Sequence, residues 1–156
     1  MPFDYLPVFV EKAAPKPPRK LVRPSQSPWQ PAVPPLASAR IALLTSAAFR
    51  SPDQPPFAPP DDASYRPIPA EPRATDLVMD HRSPLGTTPR QDPEIIFPRS
   101  ALISLAQRGV IGSVAPTHFS FAGGTRNQNG VEKVLAPALA AELTSEGVNL
   151  ALLVPF

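Results

Sequence analysis

The sequence has no cysteine and only two histidines, His81 and His118. Disulfides, thiolate chemistry and every cysteine-based zinc pattern are excluded from these 156 residues, and two histidines leave little for a metal site. Glycine is scarce, at 7 residues. No G-x-G-x-x-G follows the first apolar run, and there is no P-loop lysine motif. Charged residues make up 18% of the chain and the net charge is +2, too little to point to nucleic acid. No apolar run reaches the roughly 18 residues of a membrane helix. The N-terminus, M-P-F-D-Y-L-P-V-F-V, carries an early acid and lacks the basic start and small-residue cleavage site of a signal peptide. The expected protein is cytoplasmic, with neither membrane nor nucleic acid as a partner.

Proline, by contrast, is abundant, and it is unevenly spread. Of 25 prolines, 21 lie at or before Pro93. Proline fixes φ and removes a donor, so its recurrence between Pro15 and Pro35 excludes helix and central strand there. Residues 1–36 are therefore expected to be a basic, proline-rich extended arm. Residues 37–156 are expected to hold an α/β domain. Pro15-Lys16-Pro17-Pro18-Arg19-Lys20 fits a polyproline recognition pattern. It supports either an arm lying over the domain, anchored by Trp29, or a non-enzymatic binding and assembly module docking a partner through that arm.

The back of the chain alternates between strand and helix patterns. Residues 39–47 read as a strand covered on both faces, with Ile41, Leu43 and Leu44 its apolar run. Thr45-Ser46-Ala47-Ala48 then lies at its carboxyl end. Residues 50–74 form a long loop containing a short edge strand, Tyr65–Pro69, and a solvated turn at Asp61-Asp62. Residues 75–81 read as a second buried strand, Leu77 to Met79, ending on Asp80-His81. Pro98 opens a helix over residues 98–108, stopped by Gly109. Val110–Ala115 is a short strand or turn. It leads into Pro116–Gly124, where His118 lies between aromatics and before paired glycines. Each histidine is either a polar residue satisfied by its surroundings or a member of a site. A second helix spans residues 129–146, with Pro137 either kinking or restarting it. Gly147 caps it, and Val148–Val154 is a final buried strand.

This order predicts an α/β fold: an incomplete Rossmann-like layered arrangement with a parallel sheet. In such sheets, ligands and reactive groups gather at the carboxyl ends of the strands. A last strand with no helix after it would leave one sheet face under-covered.

Several blocks, in this order and spacing, resemble the selenoprotein B subunits of glycine, sarcosine, betaine and D-proline reductases. They are Tyr65–Pro69, Asp76–His81, Asp92 leading to Phe97-Pro98, Leu102–Gly112, His118–Gly123 and Glu146–Pro155. In that family a Val-Pro-type strand end is followed directly by selenocysteine or cysteine, with a second cysteine soon after. The resemblance therefore implies a redox selenocysteine or cysteine just after Phe156, and a reading frame ended at a UGA selenocysteine codon; a truncation is the alternative. It also implies reductive cleavage of a C–N bond in a small amino-acid-like substrate. The electrons would come from a dithiol or thioredoxin-like donor. A companion subunit would supply a carbonyl, in several members a pyruvoyl group. This chain itself would hold no cofactor and no metal. His81 and His118 would serve as orienting or proton-transfer groups, flanked by Asp80 and Ser120.

Overall fold

The computed structural model describes residues 31, 34–58, 61–71, 77–81 and 86–156. The proline-rich arm falls almost wholly outside these, as do Trp29, the polyproline pattern and the start of the expected strand at 75–81.

The first strand, β1 (Arg40–Thr45), is the centre of the sheet. It pairs in parallel with β7 (Leu150–Val154) along its length, from Ile41↔Leu150 to Thr45↔Val154. Its other flank is shared by β5 (Ser113–Val114) and β6 (Thr117–Phe121), both parallel to it. The edge strand β3 (Tyr65–Pro69) runs antiparallel to β6. Being hydrogen-bonded on both sides and covered on both faces explains why β1 is buried from Ile41 to Thr45 and reads as an apolar run.

Successive side chains point to opposite faces of a strand, and β1 accordingly feeds two cores. Ile41 and Leu43 join Ile68, Phe97, Leu102 and Ile111 on one face. Ala42 and Leu44 join Ala115, Phe119, Leu135 and Leu139 on the other. The helix Arg99–Gln107 covers the first face and the helical segment Val131–Ser145 the second. This is an α/β layered fold with a mostly parallel sheet, as the sequence predicts.

Both glycine stops are in place. Gly109 and Gly147 adopt φ of +70° and +66°, and the bonds Val110 N–H to Leu105 O and Val148 N–H to Leu143 O close the helix ends. Pro137 restarts its helix. Because it offers no N–H, residues 131–135 widen into a π-helical turn, with Ala136 donating five residues back to Val131 O. A regular α-helix then runs over Ala136–Ser145.

Two expectations need correction. The stretch Leu77–Met79 is not a buried strand of the main sheet. Only Val78–Met79 (β4) is extended, it pairs antiparallel with β2 (Phe49–Arg50) in a separate two-stranded sheet, and Val78 is 36% exposed. A two-residue ladder satisfies too little backbone to sit in a sheet centre. Within residues 116–124, to which the sequence pattern assigns no element, Thr117–Phe121 forms β6. The final strand is not buried either: Leu152 is 41% and Leu153 64% exposed. Among the described residues β7 has β1 on one flank only. An apolar run reports the need for cover and not whether cover exists.

The loop after β2 lies over the sheet and is tied down by Arg66. The buried Arg66 guanidinium donates to Pro55 O (2.9 Å), Pro56 O (3.3 Å), Tyr65 O (2.9 Å) and Ser64 Oγ (2.8 Å), and stacks 4.3 Å over the Phe57 ring. Arg66→Ala removes the donors to two loop carbonyls, Pro55 O and Pro56 O, and to Tyr65 O at the start of β3. It is expected to cost about 3 kcal/mol in urea denaturation, on the scale of hydrogen bonds to a charged group. Arg66→Lys should recover only part, because a point charge cannot reproduce the planar fork.

Candidate functional site

The carboxyl ends of β1, β6 and β7 meet in one place. β1 runs out at Ser46-Ala47-Ala48, β6 at Ala122-Gly123 and β7 at Pro155-Phe156. Ser46 O accepts the N–H of Gly123 at 2.9 Å, and Ala48 N–H donates to Phe121 O at 3.0 Å. A β-carbon on Gly123 would lie 2.8 Å from Ser46 O. Only glycine allows this approach. Gly123→Ala is expected to destabilise by about 2 kcal/mol through the forced backbone shift, seen as a lowered Tm in circular dichroism.

Ala48 marks the tightest point. It has φ +55°, the left-handed region that favours glycine, at a cost of about 1–2 kcal/mol. It is buried with Phe57 and Ala122, and its carbonyl accepts the N–H of Asp80 at 3.0 Å. The strained residue thus joins the exits of β1, β6 and β4. Backbone strain of this kind concentrates at functional sites.

The segment after β4 supplies the polar groups. Asp80 Oδ2 accepts from Arg50 Nε and from Phe57 N–H, each at 2.9 Å. These bonds commit Asp80 to holding the loop. His81 follows, half-buried, its ring edge-on to Phe156 with centroids 5.0 Å apart. Burial lowers its pKa, and the nearby charge of Arg90 adds to this. The Arg90 guanidinium donates to His81 O. His81 therefore stands at the carboxyl end of β7, beside a cation.

His118 sits elsewhere, inside the sheet at 0% exposure. Three residue steps on β1, Ile41 to Leu44, span five on its neighbour, Val114 to Phe119. The surplus falls at Ala115-Pro116, where Pro116 has no N–H. His118 Nδ1 accepts the Leu43 N–H at 3.2 Å, taking the place of a ladder carbonyl. Nδ1 must be unprotonated to accept, so the proton of the neutral ring is on Nε2. Nε2 has no hydrogen-bond partner among the described residues, and the ring meets Phe97 edge-on at 5.8 Å. Burial drives its pKa down to about 4, against an opposing backbone hydrogen bond at Thr117, and the Arg99 charge lowers it further.

Ser120 repeats the device. Buried like His118, its Oγ accepts the Phe49 N–H at 2.7 Å. The structure thus gives the two histidines different surroundings: His81 at the strand ends against Phe156, and His118 within the ladder. Sequence reasoning did not single out Ser46 or Gly123 as a contact pair. The small-residue run after β1 and the paired glycines after β6 were the available signals. A shallow cleft of about 350 Å³ opens at the other end of β6, lined by Pro67, Pro69, Pro116 and Thr117 with Ser51, Asp53 and Gln54. It is remote from the converging strand ends. Among the described residues no group of three His, Cys, Asp or Glu is placed to hold a metal ion, and no helix is long and apolar enough to cross a membrane.

No family model matches the sequence, and no solved structure matches it. The chain is 29% identical over 125 residues to D-proline reductase subunit gamma of Acetoanaerobium sticklandii, an alignment covering 80% of this chain and 52% of that protein. It spans about half the length of the curated relative it matches. The relation is distant, and it is to a subunit of a reductase.

Proposed function

We propose that this chain is the scaffold portion of a reductase subunit, and that its strand ends present a redox selenocysteine or cysteine carried directly after Phe156. The observation that carries this reading is the convergence of β1, β6 and β7 at Phe156 in a relative of a D-proline reductase subunit. These 156 residues include no cysteine, and the nucleophile of this reading is the one that the family resemblance implies. As a selenolate or thiolate it would attack as the anion, beside His81 and the Arg90 charge. His81 is the proton-transfer or orienting group in this reading. His118 orients the sheet that carries the site. Reductive cleavage breaks a C–N bond of D-proline, glycine, sarcosine or betaine and oxidises a dithiol to a disulfide. A companion subunit would supply a substrate-activating carbonyl, in several members of the family a pyruvoyl group.

The test is dithiol-dependent turnover by the full-length protein together with its companion subunit, with each of the four substrates and product detection by mass spectrometry. One substrate should be consumed only when dithiol is present, and alkylation should abolish the reaction. No turnover of any of them, with a partner bound through residues 1–36, would instead establish the docking module.

A further inference from the structure

The geometry points to Arg90 as the residue that binds the carboxylate of a small amino-acid-like ligand, at a corner it shares with His81. This inference deepens the reading above and rests on it for the choice of ligands.

Arg90 lies in the last turn of the short helix Thr87–Gln91. Its side chain folds back over Gly86, where a β-carbon would lie 2.6 Å from Nη1 and 3.0 Å from Cζ. Gly86 has φ −72°, open to any residue, so glycine is needed there for the space it leaves and not for its backbone. On the other side Nη2 donates to His81 O. The guanidinium is thus held against the backbone at two points, with most of its donors left over. Among the described residues no carboxylate pairs with it. The acids near it in sequence have other partners. Asp80 holds Arg50 and the Phe57 N–H, Asp92 the Glu94 N–H, and Glu94 the Ser100 N–H and the Arg99 side chain. A planar fork that is fixed, exposed and without a counter-ion fits a carboxylate through two parallel bonds.

His81 forms the second wall. Its ring is half-buried against Phe156, and burial, then the Arg90 charge, lowers its pKa. The ring is therefore neutral at pH 7, and the corner presents one cation and not two. A neutral ring does not repel the positive nitrogen that neighbours the carboxylate in glycine, sarcosine, D-proline and betaine. The carboxylate is the anionic group common to all four, so one fork can hold any of them.

The experiment is isothermal titration of the full-length protein with each of these four compounds, with the carboxamide counterpart of any that binds, and with inorganic phosphate. At least one should bind, and its carboxamide about a hundredfold more weakly. Binding should raise the His81 pKa, because a nearby anion favours the imidazolium. Histidine-ring NMR reads that shift, with the signal assigned through His81→Gln. Arg90→Ala should weaken binding about a hundredfold and Arg90→Lys about tenfold, since an ammonium is not a fork. Gly86→Ala should also weaken it, by displacing the guanidinium without removing its charge. Melting curves of the variants separate these losses from unfolding. No binding of any of the four, or an affinity unchanged by Arg90→Ala, overturns the inference. Phosphate binding as tightly, or Arg90→Lys binding like the parent, marks an unspecific surface cation and overturns it too. In each case dithiol-dependent turnover that persists with an unchanged KM leaves the reductase reading standing. Arg90-dependent binding in a parent protein that turns over none of the four removes the reductase reading and keeps the carboxylate site.

Discussion

His118→Ala is expected to destabilise the protein by about 4 kcal/mol, the sum of a buried cavity and a stranded amide. That is a large share of a typical stability of about 5–15 kcal/mol. The two contributions can be separated. His118→Asn removes much of the ring but places Oδ1 close to where Nδ1 accepts the Leu43 N–H, and should recover about 1–2 kcal/mol. His118→Leu fills the space without an acceptor and leaves that amide unsatisfied. Urea denaturation should therefore rank Asn above Leu despite the apolar setting. Equal losses for the two would mean that the ring packs against Phe97 and does no work for the ladder.

The same residue predicts acid lability in a specific window. The folded pKa of His118 is lowered to about 4, below the ordinary 6.5. Between those values the unfolded chain binds a proton that the native state refuses, so stability rises with pH there. The contribution is intact above about pH 6.5, declines as the pH falls, and levels off below about pH 4. Its full extent is about 3 kcal/mol. His81 is lowered in the same direction, chiefly by burial, but it is partly exposed and adds less. Asp62 is lowered too. Burial, which pushes it up, is outweighed by its bonds to Ser64 and to the Ala58 and Ser64 amides and by the Arg66 charge. It titrates below the window. Chemical denaturation across pH 7 to 4 should show the loss in the parent protein and a much flatter profile in His118→Asn.

The residues differ in how openly they declare their roles. β1 and the helix Arg99–Gln107 are legible because their apolar spacing answers directly to burial on two faces and one face. The glycine stops are legible because only glycine takes φ near +70° without cost. β6 is hidden, although T-H-F-S-F alternates with a period of two. His118 and Ser120 look like solvent-facing residues, yet both are buried as acceptors for the amides of Leu43 and Phe49. A polar side chain that substitutes for backbone leaves no periodic trace. β4 is over-read for the converse reason, since an apolar triplet does not reveal that it lies outside the main sheet. Of the site, His81 was visible as the residue just past an extended segment. Its contact with Phe156 depends on a register between β1 and β7 that spans more than 100 residues, and local pattern does not encode it.

The most direct measurement of the central claim is mass spectrometry of the full-length protein after reduction and alkylation, reading the residue bonded to Phe156. A selenol or thiol label at that residue is the predicted result. An unlabelled residue there, with no selenocysteine or cysteine in the segment that follows, would contradict the assignment of these strand ends to redox chemistry.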